Sequence, residues 1–124
     1  KANIPYKYIY LKNYKKIPDL YSMLNLYIVS SREEGGPRAI LESMASDVPI
    51  ISSKVGQASE LIVNNYNGWL TEIGDIDDIL DKSLNIYYGK LHKNFFDNAK
   101  ATAKKNSYKN QIYEWKLFFE GFIN

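Results

Sequence analysis

The stretch that decides the fold is residues 30–45, which read SSREEGGPRAILESMA. It continues a short apolar run, Leu26–Ser30 (LYIVS), that is typical of a buried parallel strand. A polar, Gly-rich loop comes next, and Pro37 is a residue type favoured at the first position of a helix. Apolar residues then recur between Ile40 and Ala45 at helical spacing. The stretch therefore predicts a strand, a loop and a helix in succession.

The same alternation extends to both sides of this stretch. Further strands are predicted at Tyr6–Leu11, Val48–Ser52 and Trp69–Ile73. Helices are predicted at Ile17–Leu24, Pro37–Ala45 and Ala58–Val63, and then, beyond Gly74, after the N-cap Asp75 and at Lys90–Lys105 and Tyr108–Ile123. Short strands separated by helices imply right-handed crossovers. We expect an α/β fold with a mainly parallel sheet of about four strands and a C-terminal helical tail.

Composition excludes several classes of protein and site. The chain has 124 residues with a net charge of +2, which is too small for a general nucleic-acid binder. It contains no cysteine and one histidine, which excludes disulfides, thiolate sites and a histidine cluster for zinc. No apolar run approaches the ~20 residues that span a membrane, and no signal-peptide pattern opens the chain. These features predict a cytoplasmic protein without a transmembrane segment or a nucleic-acid partner.

The Gly-rich loop is the candidate binding site. Ligands of open α/β sheets bind where strands end, and the free N–H groups at a helix start suit a phosphate. Gly35 and Gly36 allow close approach to the backbone. Glu34 and Glu42 lie on either side of these glycines, and a carboxylate accepts hydrogen bonds from a vicinal diol. This order matches a ligand with phosphate in the middle and hydroxyls at both ends, as in a nucleotide sugar.

Two simpler interpretations stay open. Glycines in a loop between a strand and a helix often serve packing alone. Glu42 is also four residues after Arg38, so the two could form an ion pair on the helix surface, worth only ~0.3–0.5 kcal/mol.

Glu34 to Glu42, followed by Ser43-Met44-Ala45, resembles the Glu-x7-Glu motif of retaining glycosyltransferases (group 1, family 4 type), which sucrose and glycogen synthases typify. Neighbouring segments are similar to the family's in order and spacing. These segments are Asp19–Tyr21, Leu26–Ser31, Val48–Ile51, Val55–Glu60 and Asn67–Leu70. The resemblance spans roughly residues 6 to 85.

The resemblance implies a GT-B fold, with two Rossmann-like domains of which the second holds the donor. Glu34 would be the catalytic residue beside the transferred sugar, and Glu42 would bind the ribose hydroxyls. Backbone groups of the loop would line the sugar and diphosphate, and the loop after the first strand would face the base. The implied substrate-binding residues are Asn13, Tyr14, Gly35, Gly36, Pro37, Arg38 and Glu42.

The family's phosphate-binding Arg and Lys, and its acceptor domain, would precede this segment. We therefore expect residues 1–124 to be one partial domain that binds the donor and is inactive alone. Pro37 also lies where many relatives have glycine, and it offers no N–H to a ligand. The implied partners are a nucleotide diphosphate sugar and a sugar or lipid-linked acceptor, with peripheral membrane contact allowed in a full-length parent. No Asp-rich metal motif is present, so no metal or cofactor is expected.

The leading hypothesis is transfer of a sugar from a nucleotide diphosphate donor to a hydroxyl acceptor with retention of configuration. One alternative is a nucleotide-sugar binding module without catalysis. Another is a GT-B-type epimerase, which would need further acid–base residues. A separate feature is the aromatic content of the last helix, which predicts an exposed apolar patch and self-association. These aromatic residues are Trp115, Phe118, Phe119 and Phe122.

Overall fold

The centre of the molecule is a three-stranded parallel sheet. The computed structural model describes residues 3–36 and 38–122. Its strands, β1 (Tyr27–Val29), β2 (Ile50–Ser53) and β3 (Trp69–Thr71), follow one another across the sheet in chain order. Both pairs of neighbours are parallel, with Ile51 of β2 opposite Ile28 on one side and Trp69 on the other. The predicted α/β fold with a parallel sheet is confirmed.

Helices connect the strands and complete the chain. They are α1 (Ile17–Tyr21), α2 (Arg38–Ala45), α3 (Ala58–Leu61), α4 (Ile76–Tyr87), α5 (Phe95–Lys105) and α6 (Tyr108–Glu120). Asp75 is the N-cap of α4, as predicted, and its carboxylate accepts a hydrogen bond of 3.0 Å from the Asp78 N–H. Along the described ranges, the structure contains no helix whose length and apolar character would let it cross a membrane.

The strand predicted at Tyr6–Leu11 is not formed. This segment is irregular, and Tyr6, Tyr8 and Tyr10 are 93%, 83% and 74% exposed. Aromatic and β-branched residues favour a strand only when a neighbouring strand supplies hydrogen bonds and a packed face. The segment pairs with no strand in the described part of the chain, so the sheet has three strands rather than about four.

The core lies on both faces of β2, whose four residues are all buried. Successive side chains of a strand point to opposite faces, so Ile50 and Ile51 enter different clusters. Ile50 packs with residues of α2, α3 and α5, which include Ile40, Met44, Ala58, Ala99 and Ala103. Ile51 packs with Trp69 and Phe95, whose rings stack at 4.8 Å between centroids. The small alanines of α5 let that helix lie close to α2.

The turn after β2 contacts the loop after β1. Gly56 lies in this turn with a φ of +47°, a conformation that favours glycine. A Cβ atom at Gly56 would lie 2.5 Å from the carbonyl oxygen of Glu34 and 2.7 Å from that of Gly35. Glycine is therefore required here both by the backbone conformation and by the contact. This contact supports the backbone that carries Glu34.

Helix α6 has no buried residue within its described range. The aromatic patch, which we define as Trp115, Phe118 and Phe119 of α6 with Phe122 just after it, is exposed. The rings contact one another rather than the core, since Trp115 stacks on Phe119 at 6.1 Å and Phe118 meets Phe122 at 4.9 Å. The expected exposed patch is confirmed, and self-association stays a prediction.

We expect Gly56→Ala to destabilise the protein more than a matched substitution at Gly74. Gly74 also has a positive φ, of +84°, but an added Cβ there meets nothing within 4 Å. Backbone strain alone costs about 1–2 kcal/mol. At Gly56 the clash with two carbonyls should lower the free energy of unfolding by about 1–3 kcal/mol more. Urea titration followed by circular dichroism measures the free energy of unfolding of both variants. Equal losses of stability would contradict a close contact between Gly56 and the loop after β1.

We expect the chain to self-associate at high concentration through the aromatic patch, because it is a contiguous exposed apolar surface. Phe118→Lys should shift sedimentation velocity profiles towards monomer. Tyr87→Lys is the control, since Tyr87 is an exposed aromatic residue of α4 outside the patch. A monomer throughout the concentration series, without binding of an apolar dye, would contradict this prediction.

Candidate functional site

The Gly-rich loop, residues 30–36, follows the carboxyl end of β1 and leads into α2. Because β1 and β2 are parallel, the turn that follows β2 lies at the same edge of the sheet and contributes Gly56 to this region. The structure thus brings the Gly-rich loop to the edge where open α/β sheets bind ligands. Pro37 was predicted to open the helix and to line the ligand, but it lies outside the described residues, and the described helix begins at Arg38.

Gly35 and Gly36 are exposed, and their surroundings are open. A Cβ atom added to either would meet nothing within 4 Å, and neither has a positive φ. Neither packing nor backbone strain therefore requires glycine at these positions. This disfavours the interpretation that the glycines serve packing, and it leaves room for a ligand beside the backbone.

Glu34 is exposed and is held within its own loop. The Ser31 hydroxyl donates a hydrogen bond of 2.8 Å to Glu34 Oε1. A carboxylate has about four acceptor positions, so this bond orients the group while leaving it able to accept from a ligand. Glu34 therefore presents a solvent-accessible carboxylate beside the open glycines.

Glu42 is half-buried on α2 and contacts a residue that the sequence did not single out as part of the site. The hydroxyl oxygen of Tyr21, at the end of α1, lies 3.3 Å from Glu42 Oε2. Burial raises the pKa of Tyr21 well above its ordinary value of 10.0, and nearby Tyr27 and Glu42 act in the same direction. Tyr21 is therefore a neutral donor. In the sequence, Tyr21 belongs to the segment Asp19–Tyr21, which is similar to the family's. Nothing in that segment indicated a contact with Glu42.

Arg38 and Glu42 have different partners. The Arg38 guanidinium lies over the Tyr108 ring of α6, 5.9 Å from its centroid, while Glu42 faces Tyr21. No ion pair joins Arg38 to Glu42 in the part of the chain that the structure describes, so the ion-pair interpretation is not supported. The Arg38 N–H donates to the Gly36 carbonyl at 3.1 Å. This N–H is therefore already paired, unlike the free donors expected at a helix start.

Asn13 and Tyr14 belong to a separate turn. The Asn13 side chain accepts a hydrogen bond of 3.0 Å from the Lys15 N–H and so caps the 3-10 turn Tyr14–Lys16. Tyr14 is exposed. No hydrogen bond between described residues connects this turn with the Gly-rich loop. Their contact with a base stays a prediction.

An open groove of about 1020 Å³ begins at the Gly-rich loop. Its lining includes Gly36, Arg38 and Glu60, and α6 contributes Glu114 and Trp115. Glu60 is exposed. Over residues 3–36 and 38–122, no group of three or more His, Cys, Asp and Glu side chains is arranged to hold a metal ion.

Comparison with known proteins matches residues 2–110 to the family model described as "Glycosyl transferases group 1". An uncharacterized glycosyltransferase of Methanocaldococcus jannaschii is 27% identical over 88% of this chain and 31% of its own length. N-acetyl-alpha-D-glucosaminyl L-malate synthase of Bacillus anthracis is 28% identical over 77% of this chain and 25% of its own length. The chain thus spans between a quarter and a third of these curated relatives.

Two solved structures are similar as well. The C-terminal domain of a group 1 glycosyl transferase (LpcC) from Francisella tularensis is 29% identical, with a TM-score of 0.69 over 80% of this chain and 51% of its own. Anabaena HepE, solved in complex with UDP-glucose, is 27% identical, with a TM-score of 0.68 over 82% of this chain and 29% of its own. Sequence and fold agree, and the family match covers well over half of the chain. The chain belongs to the group 1 glycosyl transferase family.

Proposed function

We propose that this chain is the donor-binding part of a retaining glycosyltransferase, which transfers a sugar from a nucleotide diphosphate to a hydroxyl acceptor. The observation that carries the proposal is the exposed Glu34 beside two open glycines, in the loop that follows the carboxyl end of a parallel strand. Glu42 lies further along, on the helix that this loop leads into. The solved complex of the related HepE with UDP-glucose supports a nucleotide sugar as the ligand class.

Each part of the site suits one part of such a donor. The exposed backbone of Gly35 and Gly36 is where the diphosphate would approach, since carboxylates and phosphates repel each other. The half-buried carboxylate of Glu42 would accept hydrogen bonds from the vicinal hydroxyls of the ribose. Glu34, held by Ser31, would lie beside the transferred sugar.

In this proposal, Glu34 acts close to the reacting carbon of the sugar. Positive charge develops on the sugar as the diphosphate departs, so a nearby carboxylate stabilises the transition state more than the ground state. Hydrogen-bond donors around the departing diphosphate would stabilise its negative charge. Retention of configuration is the stereochemical course that we assign to this reaction.

We propose that residues 1–124 form a single partial domain, so that the acceptor would meet the donor in a longer protein. A sugar or a lipid-linked sugar is the acceptor class that we assign. A cytoplasmic location stays a prediction from the sequence.

Glu42→Ala should weaken binding of UDP, because it removes a charged hydrogen-bond acceptor from the ribose. The expected loss is about 1–3 kcal/mol, or roughly 5- to 150-fold in Kd. Isothermal titration of the chain with UDP measures it. Glu33→Ala is the matched control, since it removes the same charge from an exposed residue of the same region. Equal losses in both variants would show a general charge effect and contradict the assigned role.

Glu34→Ala should leave UDP binding nearly unchanged, because UDP has no transferred sugar for Glu34 to contact. It should instead reduce the affinity for UDP-glucose relative to UDP. In a catalytically active protein that contains this segment, the same change should lower turnover by ~10²-fold or more. Titration with the two ligands, paired with turnover assays, tests both statements. A loss of UDP affinity equal to that of Glu42→Ala would refute the division of roles.

A further inference from the structure

The ring of Tyr21 is held in place by packing, independently of the contacts of its hydroxyl group. It is the last residue of α1 and is 4% exposed. Its ring packs against that of Tyr27 in β1, with 5.5 Å between centroids and 58° between planes. The ring therefore has a fixed position set by a helix and a strand, and its hydroxyl oxygen is delivered to one place.

The Tyr21 hydroxyl group lies against α2. The hydroxyl oxygen lies 3.3 Å from Glu42 Oε2 and also 3.3 Å from the Ala39 carbonyl oxygen. A phenol has a single proton to donate, so the two acceptors share it. The backbone carbonyl is held by the helix, whereas the Glu42 carboxylate ends a side chain with several rotatable bonds. Of the two acceptors, Glu42 is the one whose conformation the contact restrains.

Such a restraint matters for ligand binding. Ordering a free glutamate side chain costs conformational entropy, because the side chain has several rotatable bonds. A carboxylate that is already oriented in the free protein avoids much of this cost when a ligand binds. Arg38, four residues before Glu42, lies over the Tyr108 ring of α6 and forms no ion pair with Glu42 in the described part of the chain.

We propose that Tyr21 is a positioning residue for Glu42, whose carboxylate it orients towards the ribose hydroxyls of a nucleoside diphosphate. This inference rests on the proposed function, because it takes from it the role of Glu42. Tyr21 itself does not contact the ligand. The hydroxyl group is the part that acts, and the ring serves to hold it.

The test is Tyr21→Phe, which removes the hydroxyl and keeps the packed ring. The 124-residue chain is titrated with UDP and with 2′,3′-dideoxy-UDP, which lacks both ribose hydroxyls. We expect the variant to bind UDP about 3- to 10-fold more weakly, as for a lost hydrogen bond, and to bind dideoxy-UDP as the wild type does. In a Glu42→Ala background, Tyr21→Phe should have no further effect on UDP binding. Tyr87→Phe on exposed α4 is the control substitution.

The possible results separate the inference from the function on which it rests. Equal weakening of UDP and dideoxy-UDP, or an undiminished loss in the Glu42→Ala background, would show that Tyr21 only supports the fold. Unchanged UDP affinity in Tyr21→Phe would overturn the inference while leaving the function intact. If the wild-type chain fails to bind UDP, or binds it no better than dideoxy-UDP, the assigned role of Glu42 fails and the inference fails with it.

Discussion

Parallel hydrogen bonding between β1 and β2 brings the carboxyl ends of both strands to one edge of the sheet, and the candidate site depends on this constraint. The loop after β1 carries Glu34 and the two open glycines, and the turn after β2 carries Gly56. With antiparallel pairing these two segments would lie at opposite edges. Because β2 is buried on both faces by two separate clusters, this edge has a rigid base. The loop after β1 is therefore supported from below although its glycines are open to solvent.

Helix α2 connects the site with the rest of the molecule. Its buried face, which includes Ile40 and Met44, packs into the main core cluster. Its polar residues reach two other helices, since Arg38 lies over Tyr108 of α6 and Glu42 meets Tyr21 of α1. Two opposite charges that could have formed a weak surface pair are thus separated. Each instead has an aromatic partner from another element, and the Glu42 carboxylate keeps capacity to accept further hydrogen bonds.

Helix α6 differs from α5 in how it is held. Helix α5 buries Phe95, Ala99 and Ala103, whereas α6 has no buried residue over Tyr108–Glu120. Its aromatic side chains face solvent and one another, which is an uncommon use of large apolar surface. The same helix forms one wall of the groove that begins at Gly36. The structure therefore places an exposed aromatic surface next to the candidate site.

Local sequence signals determined much of the fold. The strand, loop and helix of residues 26–45 follow from short-range patterns. The N-cap Asp75 was also predictable, because its carboxylate accepts a hydrogen bond from Asp78, only three residues further along. The same reasoning placed Glu34 at the end of a strand. These features depend on residues close together in the chain, so the sequence by itself was sufficient to predict them.

Tertiary structure decided the features that depend on distant residues. Tyr6–Leu11 has strand-forming residues but no neighbouring strand in the described chain to complete its hydrogen bonds. Glu42 contacts Tyr21 rather than Arg38. Tyr21 and Glu42 are 21 positions apart, so they meet only because α1 packs on α2. Part of the requirement for glycine at position 56 likewise comes from the carbonyl groups of Glu34 and Gly35, which α2 and β2 separate from it along the chain. Such contacts leave no local pattern, because they exist only once the sheet has brought its strand ends together.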